Sequence, residues 1–443
     1  MKHLQIQTSF FLALTASAAF MVTAQATPLK ENVISLNATQ GKTVKLFIDA
    51  TGDVTVENAS GTFRNKTYVD FTVLKSPVIL KGNIKGLDCN ENKITALDVS
   101  QDTLLENLTC SNNQLKSLNV GLCKRLKKLN CSSNEIETLD LTRNKALVSL
   151  DCYNNLISEL DVSSNGDLAE LFCDVNELSG LDVSRNTKLV QLNCSYNGIT
   201  ALDLSQQQRM SILSCYGNNM TTLSLPAGDR LTELYCYENK LGTLDLAAYP
   251  NLTKLYCYDN PLHSLDLSGN TEINTLVCYH NLLQHLDVSH QTKLVTLECD
   301  DNELEELDLT HNAALLEIYC YCNKIKDAGM DHLIASLADR SQQDKKGKLC
   351  VINDLENAEN NVCTVVQVQA AQNRGWIAYQ KTAAGWKPYS GSTSSGLGEI
   401  PYSQDLDNDT QSIYDMAGHQ LNSLQQGINI LLMKDGSTRK IIR

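Results

Sequence analysis

Between residues 84 and 330 the apolar positions recur with a period of 21 residues. Counted from a central cysteine, they fall five and two residues before it, at the cysteine itself, and five, eight and ten residues after it. One instance is Leu252, Leu255, Cys257, Leu262, Leu265 and Leu267. Around the cysteine the alternation has period two, which predicts a short strand with Leu255 and Cys257 inward and Tyr256 and Tyr258 outward. The other leucines return the chain around the far side. Twelve cysteines hold this spacing without an insertion: Cys89, Cys110, Cys131, Cys152, Cys173, Cys194, Cys215, Cys236, Cys257, Cys278, Cys299 and Cys320. Residues 21 apart then sit on neighbouring parallel strands in register, so twelve strands make a ladder on the order of 55 Å long. One such coil cannot bury its own apolar side chains, and stacking supplies the rest of the core.

An asparagine stands three residues after every ladder cysteine, from Asn92 to Asn323. At the bend after a strand, its amide can bond main-chain groups of its own and adjacent coils. Nine aspartates also repeat: Asp98, Asp140, Asp161, Asp182, Asp203, Asp245, Asp266, Asp287 and Asp308. A Ser or Thr usually follows two residues later, which suits turn capping, whereas the glycine-rich nonapeptide of a calcium-binding roll is absent.

The flanks of the array read differently. Residues 27–83 carry short β-rich runs, Val44 to Ile48, Val54 to Val56, Val69 to Val73 and Val78 to Leu80, expected to form a cap over the open core and strand edge. Ala328 and Gly329 end the repeat pattern. Residues 331–386 then predict an α+β cap, with helical stretches at Met330–Leu337 and Thr364–Asn373 and strands at Leu349–Ile352 and Trp376–Tyr379. Residues 387–409, rich in Ser, Gly and Asp, read as a linker before a β-rich module at 410–443.

Composition narrows the possibilities. A net charge of −14 argues against nucleic acid and anionic membranes as partners. Residues 1–26 resemble an export signal: Lys2, an apolar run from Phe10 to Val22, and a small-residue site ending at Ala26. No later run approaches the roughly 20 apolar residues of a membrane span. Sixteen cysteines in an exported chain first suggest disulfides. Neighbouring strands are about 4.8 Å apart, however, too far for bridges that want Cβ atoms about 3.8 Å apart, so the ladder cysteines are expected as buried thiols. Clustered zinc-type spacing is absent. Outside the ladder lie Cys123, Cys322, Cys350 and Cys363, of which only Cys350 with Cys363 is a candidate pair.

The repeat Leu-x-x-Leu-x-Cys-x-x-Asn-x-Leu-x-x-Leu-Asp-Val/Leu-Ser resembles the bacterial leucine-rich repeat of the internalin type, in its form with cysteine in place of a core leucine. That resemblance implies a leucine-rich-repeat solenoid, with a parallel β-sheet on one face and irregular or short-strand returns on the other, used for adhesion and protein binding. A second resemblance lies at Ile413 to Gly418, Leu424 to Ile430, Lys434 to Gly436 and Arg439 to Arg443. These segments are similar to the C-terminal sorting domain of type IX secretion cargo in Bacteroidota, which implies delivery to the cell surface or medium by that secretion machinery.

No nucleophile elbow, phosphate-binding loop or zinc-protease motif occurs, and the histidines are scattered over the repeat; no enzyme and no cofactor is expected. Function then falls to outward strand positions that the fold does not constrain. Tyr153, Tyr216, Tyr235, Tyr237, Tyr256, Tyr258, Tyr279, Tyr319 and Tyr321 occupy them, with Phe172. Eight of those nine tyrosines lie in coils 7 to 12, numbering coils by their ladder cysteine. Exposed strands favour tyrosine through β-propensity and cross-strand pairing. Propensity alone would not confine the rings to one half of a uniform array, and tyrosine is enriched in binding hot spots. Glu233, Glu238, Asp259, Asp300, Asp301 and Glu317 lie alongside, so a basic or polar protein partner is expected, with a glycan as the alternative.

Overall fold

In the computed structural model the described residues are 32–355, 359–393 and four strands, Thr410–Tyr414, Gln420–Leu421, Ile428–Met433 and Thr438–Ile442. The expected export signal at residues 1–26 lies outside them. The repeats form a leucine-rich-repeat solenoid whose strands join both end regions in one 20-stranded sheet. In coils 2 to 11 each repeat strand is three residues long and centred on a buried leucine, with every residue paired to its counterpart 21 positions on, as Leu171 pairs with Leu192 and Leu192 with Leu213. The ladder cysteine follows the strand, fully buried, and its N–H donates to the next coil, as from Cys152 to the Phe172 carbonyl at 2.8 Å.

Two residues past each cysteine the backbone turns into the left-handed region, at Asn112 (φ 53°), Val175 (53°), Tyr196 (49°) and His280 (53°) among others. That conformation is costly for a β-branched residue. It is held because the N–H at this position bonds the next coil, from Val175 to the Ser195 carbonyl at 2.9 Å. The ladder asparagine completes the bend. Asn155 Nδ2 donates to the carbonyls of Cys131 and Cys152, both at 3.1 Å, while its Oδ1 accepts the Ile136 N–H at 3.0 Å. The repeated aspartates cap turns: Asp140 accepts the N–H and hydroxyl of Thr142 at 2.9 and 2.6 Å, and Asp161 the N–H of Ser163 at 2.8 Å. The Thr142 hydroxyl and then its N–H at Asp140, and the Ser163 hydroxyl and then its N–H at Asp161, hold both carboxyls below their ordinary pKa.

A second amide ladder, not anticipated from the sequence, runs along the return side through Asn144, Asn165, Asn186 and Gln207 and resumes at Asn270, Gln291 and Asn312, all buried. Asn165 Nδ2, for example, donates to the carbonyls of Leu141 and Asn144 at 3.2 and 2.9 Å.

Both ends are closed by residues that imitate a missing coil. At the start, the strand Val78–Asp88 pairs antiparallel with Thr43–Glu57 and then parallel with Asn107–Thr109, so cap and array share one continuous strand across residue 83. Asn92, with no preceding coil, brackets Lys45 of the cap, accepting its N–H at 2.7 Å and donating to its carbonyl at 2.9 Å. At the other end the helix Asp327–Ser336 is followed by Gly347–Asn353, which adds to the sheet in parallel beside Glu317–Tyr319. The helix Val365–Asn373, with a Thr364–Gln367 capping box, leads to Trp376–Thr382, a further parallel strand, and Gly385–Pro388, an antiparallel one.

Asn361 takes the ladder role there: Nδ2 donates to Cys320 and Val351 carbonyls at 2.8 and 3.1 Å, and Oδ1 accepts the Ile325 N–H at 2.8 Å. The Glu359 carboxylate accepts the N–H groups of Cys322, Asn353 and Asn361, at 2.7–3.1 Å. Residues expected as the start of a linker pack against this end, since the Tyr389 N–H bonds the Ala378 carbonyl and the Ser392 N–H the Cys363 carbonyl, both at 2.9 Å. The described stretches near the C-terminus form a separate antiparallel four-stranded sheet.

Cys350 and Cys363 are free and buried, so the candidate pair is not bridged; the ladder cysteines are likewise free thiols. Burial pushes those thiols up, to about 12 at Cys131 and Cys194, so they remain protonated and act as small apolar groups.

Candidate functional site

Residues one before and one after each cysteine project from the strand face in two columns. In the column after the cysteine, Tyr216, Tyr237, Tyr258 and Tyr279 form an unbroken stack, with centroids 4.2, 4.2 and 4.3 Å apart and ring planes within 10–16° of parallel. The strand spacing of roughly 4.8 Å imposes this geometry on any flat side chain repeated in register. In the column before the cysteine, Tyr235 and Tyr256 stack at 5.0 Å. Tyr196, from the left-handed position of coil 6, closes one end edge-on to Tyr216 at 5.2 Å. The sequence reading missed it, although it lies two residues past Cys194 and its period places it beside the stack.

The stacked rings are half-buried. Burial first, and neighbouring rings second, push the hydroxyls of Tyr237 and Tyr258 well above the ordinary tyrosine range, and burial pushes Tyr279 up to about 12. They stay protonated donors at every physiological pH. Because each interior ring has its faces covered by its neighbours, the stack offers solvent ring edges and hydroxyls.

Acidic groups border it. Tyr235 donates to Glu233 at 2.7 Å and Lys254 to the same carboxylate at 3.0 Å. His280 bridges carboxylates one coil below and one above, Asp259 through Nδ1 at 2.5 Å and Asp301 through Nε2 at 2.8 Å. Asp300 follows Tyr279 in the column after the cysteine; it is 5% exposed, and burial raises its carboxyl to about 7.

Tyr319 and Tyr321 belong to a different cluster. Trp386, on the closing strand Gly385–Pro388, packs on both, with centroids 5.7 and 5.5 Å away. Lys348 Nζ donates to the Tyr319 hydroxyl at 2.7 Å and lies 4.5 Å from the Tyr319 ring centroid and 5.5 Å from that of Trp386. Lys381 lies 5.5 Å from the ring centroid of Tyr321. These two tyrosines are therefore engaged by the end of the chain. Tyr153, 40% exposed, and Phe172 sit in coils 4 and 5, and among the described residues no ring contact joins them to the stack. Among the described residues no group of His, Cys, Asp and Glu side chains is placed to hold a metal ion.

No protein-family model and no curated protein matches this chain. Solved structures do. The functional domain of InlJ from Listeria monocytogenes, described as including a cysteine ladder, is 24% identical, with 81% of this chain and 90% of that one covered at a TM-score of 0.50. A leucine-rich-repeat protein of Leptospira interrogans is 21% identical over 62% of this chain and 78% of that one, with a TM-score of 0.53. An internalin (inlF) of Listeria monocytogenes is 16% identical over 68% and 87%, with a TM-score of 0.52. The fold is thus that of internalin-type leucine-rich-repeat proteins, with repeats of 21 residues and a buried cysteine ladder.

Proposed function

We propose that this chain is a surface-exposed or secreted adhesion protein that holds a protein ligand on the tyrosine-rich strand face of coils 7 to 10. The observation that carries the reading is the stack of Tyr216, Tyr237, Tyr258 and Tyr279 on an array whose coils 1 to 3 carry Asn90, Ser111 and Ser132 at the same position. Rigid rings with protonated hydroxyls give large amphipathic contact at small entropic cost. The bordering Glu233, Glu238, Asp259 and Asp301 favour a partner with basic or donor groups. A glycan partner has weaker support, since sugars stack on ring faces and the interior faces here are taken. Tyr319, Tyr321, Tyr153 and Phe172 fall to the margin of this reading.

Delivery to the surface rests on the expected export signal at 1–26 and on the resemblance of residues 410–443 to type IX sorting domains. No helix among the described residues is long and apolar enough to cross a membrane. Combined Tyr237→Ala, Tyr256→Ala and Tyr258→Ala substitution is expected to lower cell attachment by at least tenfold in a folded protein; unchanged attachment would exclude the face. Removing residues 410–443 is expected to strand the protein in the periplasm, and undiminished surface display would refute the sorting reading.

A further inference from the structure

Six residues before the ladder cysteine, ahead of the strand, two pairs of neighbouring coils exchange a salt bridge. Lys188 of coil 6 bonds Asp167 of coil 5, and Lys293 of coil 11 bonds Glu272 of coil 10, each at 2.5 Å. Arg209 and Arg230 occupy the same repeat position in coils 7 and 8. Neither makes an ion pair or hydrogen bond among the described residues. Two like charges on adjacent coils repel, and Asp229, the one carboxylate lining the same groove, makes no ion pair with either.

The fold is also irregular here. The return-side amide ladder stops after Gln207, because its next positions are Gly228, with φ +131°, and Tyr249, whose hydroxyl donates to the Pro226 carbonyl at 2.7 Å. Beside that break lies an open groove of about 810 Å³ lined by Val190, Arg209, Ser211, Asp229, Arg230, Thr232 and Asn251. Val190, the one apolar residue of the lining, is 42% exposed, and no aromatic ring lines the groove.

We propose that this groove binds an acidic peptide segment of a protein partner, with Arg209 and Arg230 each engaging a carboxylate and Val190 receiving an apolar side chain. Guanidinium groups match carboxylates in a two-bond fork and are the least costly cations to desolvate. A peptide suits the site better than an anionic glycan, because the groove offers no ring for a sugar face. In a chain of net charge −14, adjacent unpaired arginines are the feature an acidic ligand would explain. The proposal does not depend on the tyrosine face.

The test titrates a fluorescent eight-residue peptide of alternating Glu and Val against the full chain, read by anisotropy at low and moderate salt. Saturable binding is expected, weakened at least tenfold by Arg209→Gln with Arg230→Gln and by less than threefold by Lys188→Gln. It should survive Tyr237→Ala with Tyr258→Ala, so failure of the tyrosine reading would leave this result standing. Thermal midpoints should be unchanged or raised in the arginine variant, since repulsion is removed. No saturable binding, equal binding by the arginine variant, a fall in its midpoint, or arginine-dependent capture of a sulfated oligosaccharide in place of the peptide would overturn the proposal.

Discussion

Coils 1 to 3 and coils 7 to 10 share a strand and an asparagine bend and differ in what those strands present outward. In coil 2 the Cys110 N–H donates to Asn130 at 2.8 Å, and in coil 8 the Cys236 N–H donates to Tyr256 at 2.9 Å. Asn113 and Asn239 reach back to the cysteine carbonyls of the preceding coils, Cys89 and Cys215, at 3.0 and 3.1 Å. The residues after the cysteine then diverge. Ser111 and Ser132 are buried, and Ser132 folds back to donate to Asn130 at 2.7 Å, whereas the tyrosines of coils 7 to 10 extend and stack on one another. The cysteine–asparagine ladder is the same in both regions, so the outward columns are free to differ. Stability and recognition are carried by different residues of the same 21-residue unit.

The largest expected effect tests the equivalence. Asn113→Leu and Asn239→Leu should each cost about 3 kcal/mol, because each leaves buried carbonyls and an N–H without partners. The two costs, read from urea midpoints, should agree; a loss confined to one half of the array would break the comparison. Next comes Asp300 of coil 11, a position held by Asn90, Ser111 and Ser132 in coils 1 to 3. Its folded pKa is raised, so the folded state favours the proton, and stability falls as pH rises from about 4 through about 7. Asp300→Asn should therefore stabilise at pH 8 by roughly 2 kcal/mol and have little effect at pH 4. An equal gain at both would contradict the assignment.

Tyr258→Ala should cost about 1–2 kcal/mol through two lost ring contacts, while Ser132→Ala should cost under about 0.5 kcal/mol. Smallest in stability is Tyr237→Phe with Tyr258→Phe, which keeps the stack and removes the hydroxyls. Its thermal midpoint should not move, and partner binding should still weaken.

Strict periodicity made most of this legible in the sequence. Leu234, Cys236 and Asn239 could be assigned to strand, core and bend because every coil repeats them, and the aspartate caps followed from a Ser or Thr two residues on. What escaped was either polar and inward or remote in sequence. Asn144, Asn165 and Asn186 are also 21 residues apart, but buried amides on the return side run against the rule that polar residues face water. Trp386 reaches Tyr319 and Tyr321 through a strand pairing some 65 residues away, which no repeat period encodes. The start of the expected linker was read from its Ser and Gly content, yet Tyr389 and Ser392 find backbone partners on the cap.

The central claim is that a protein partner sits on coils 7 to 10 and not on coils 1 to 3. A photo-crosslinking amino acid in place of Tyr258, compared on living cells with the same amino acid in place of Ser132, tests it most directly. The account predicts a discrete protein adduct at position 258 and none at 132. Equal labelling at both, or an adduct only at 132, would contradict it.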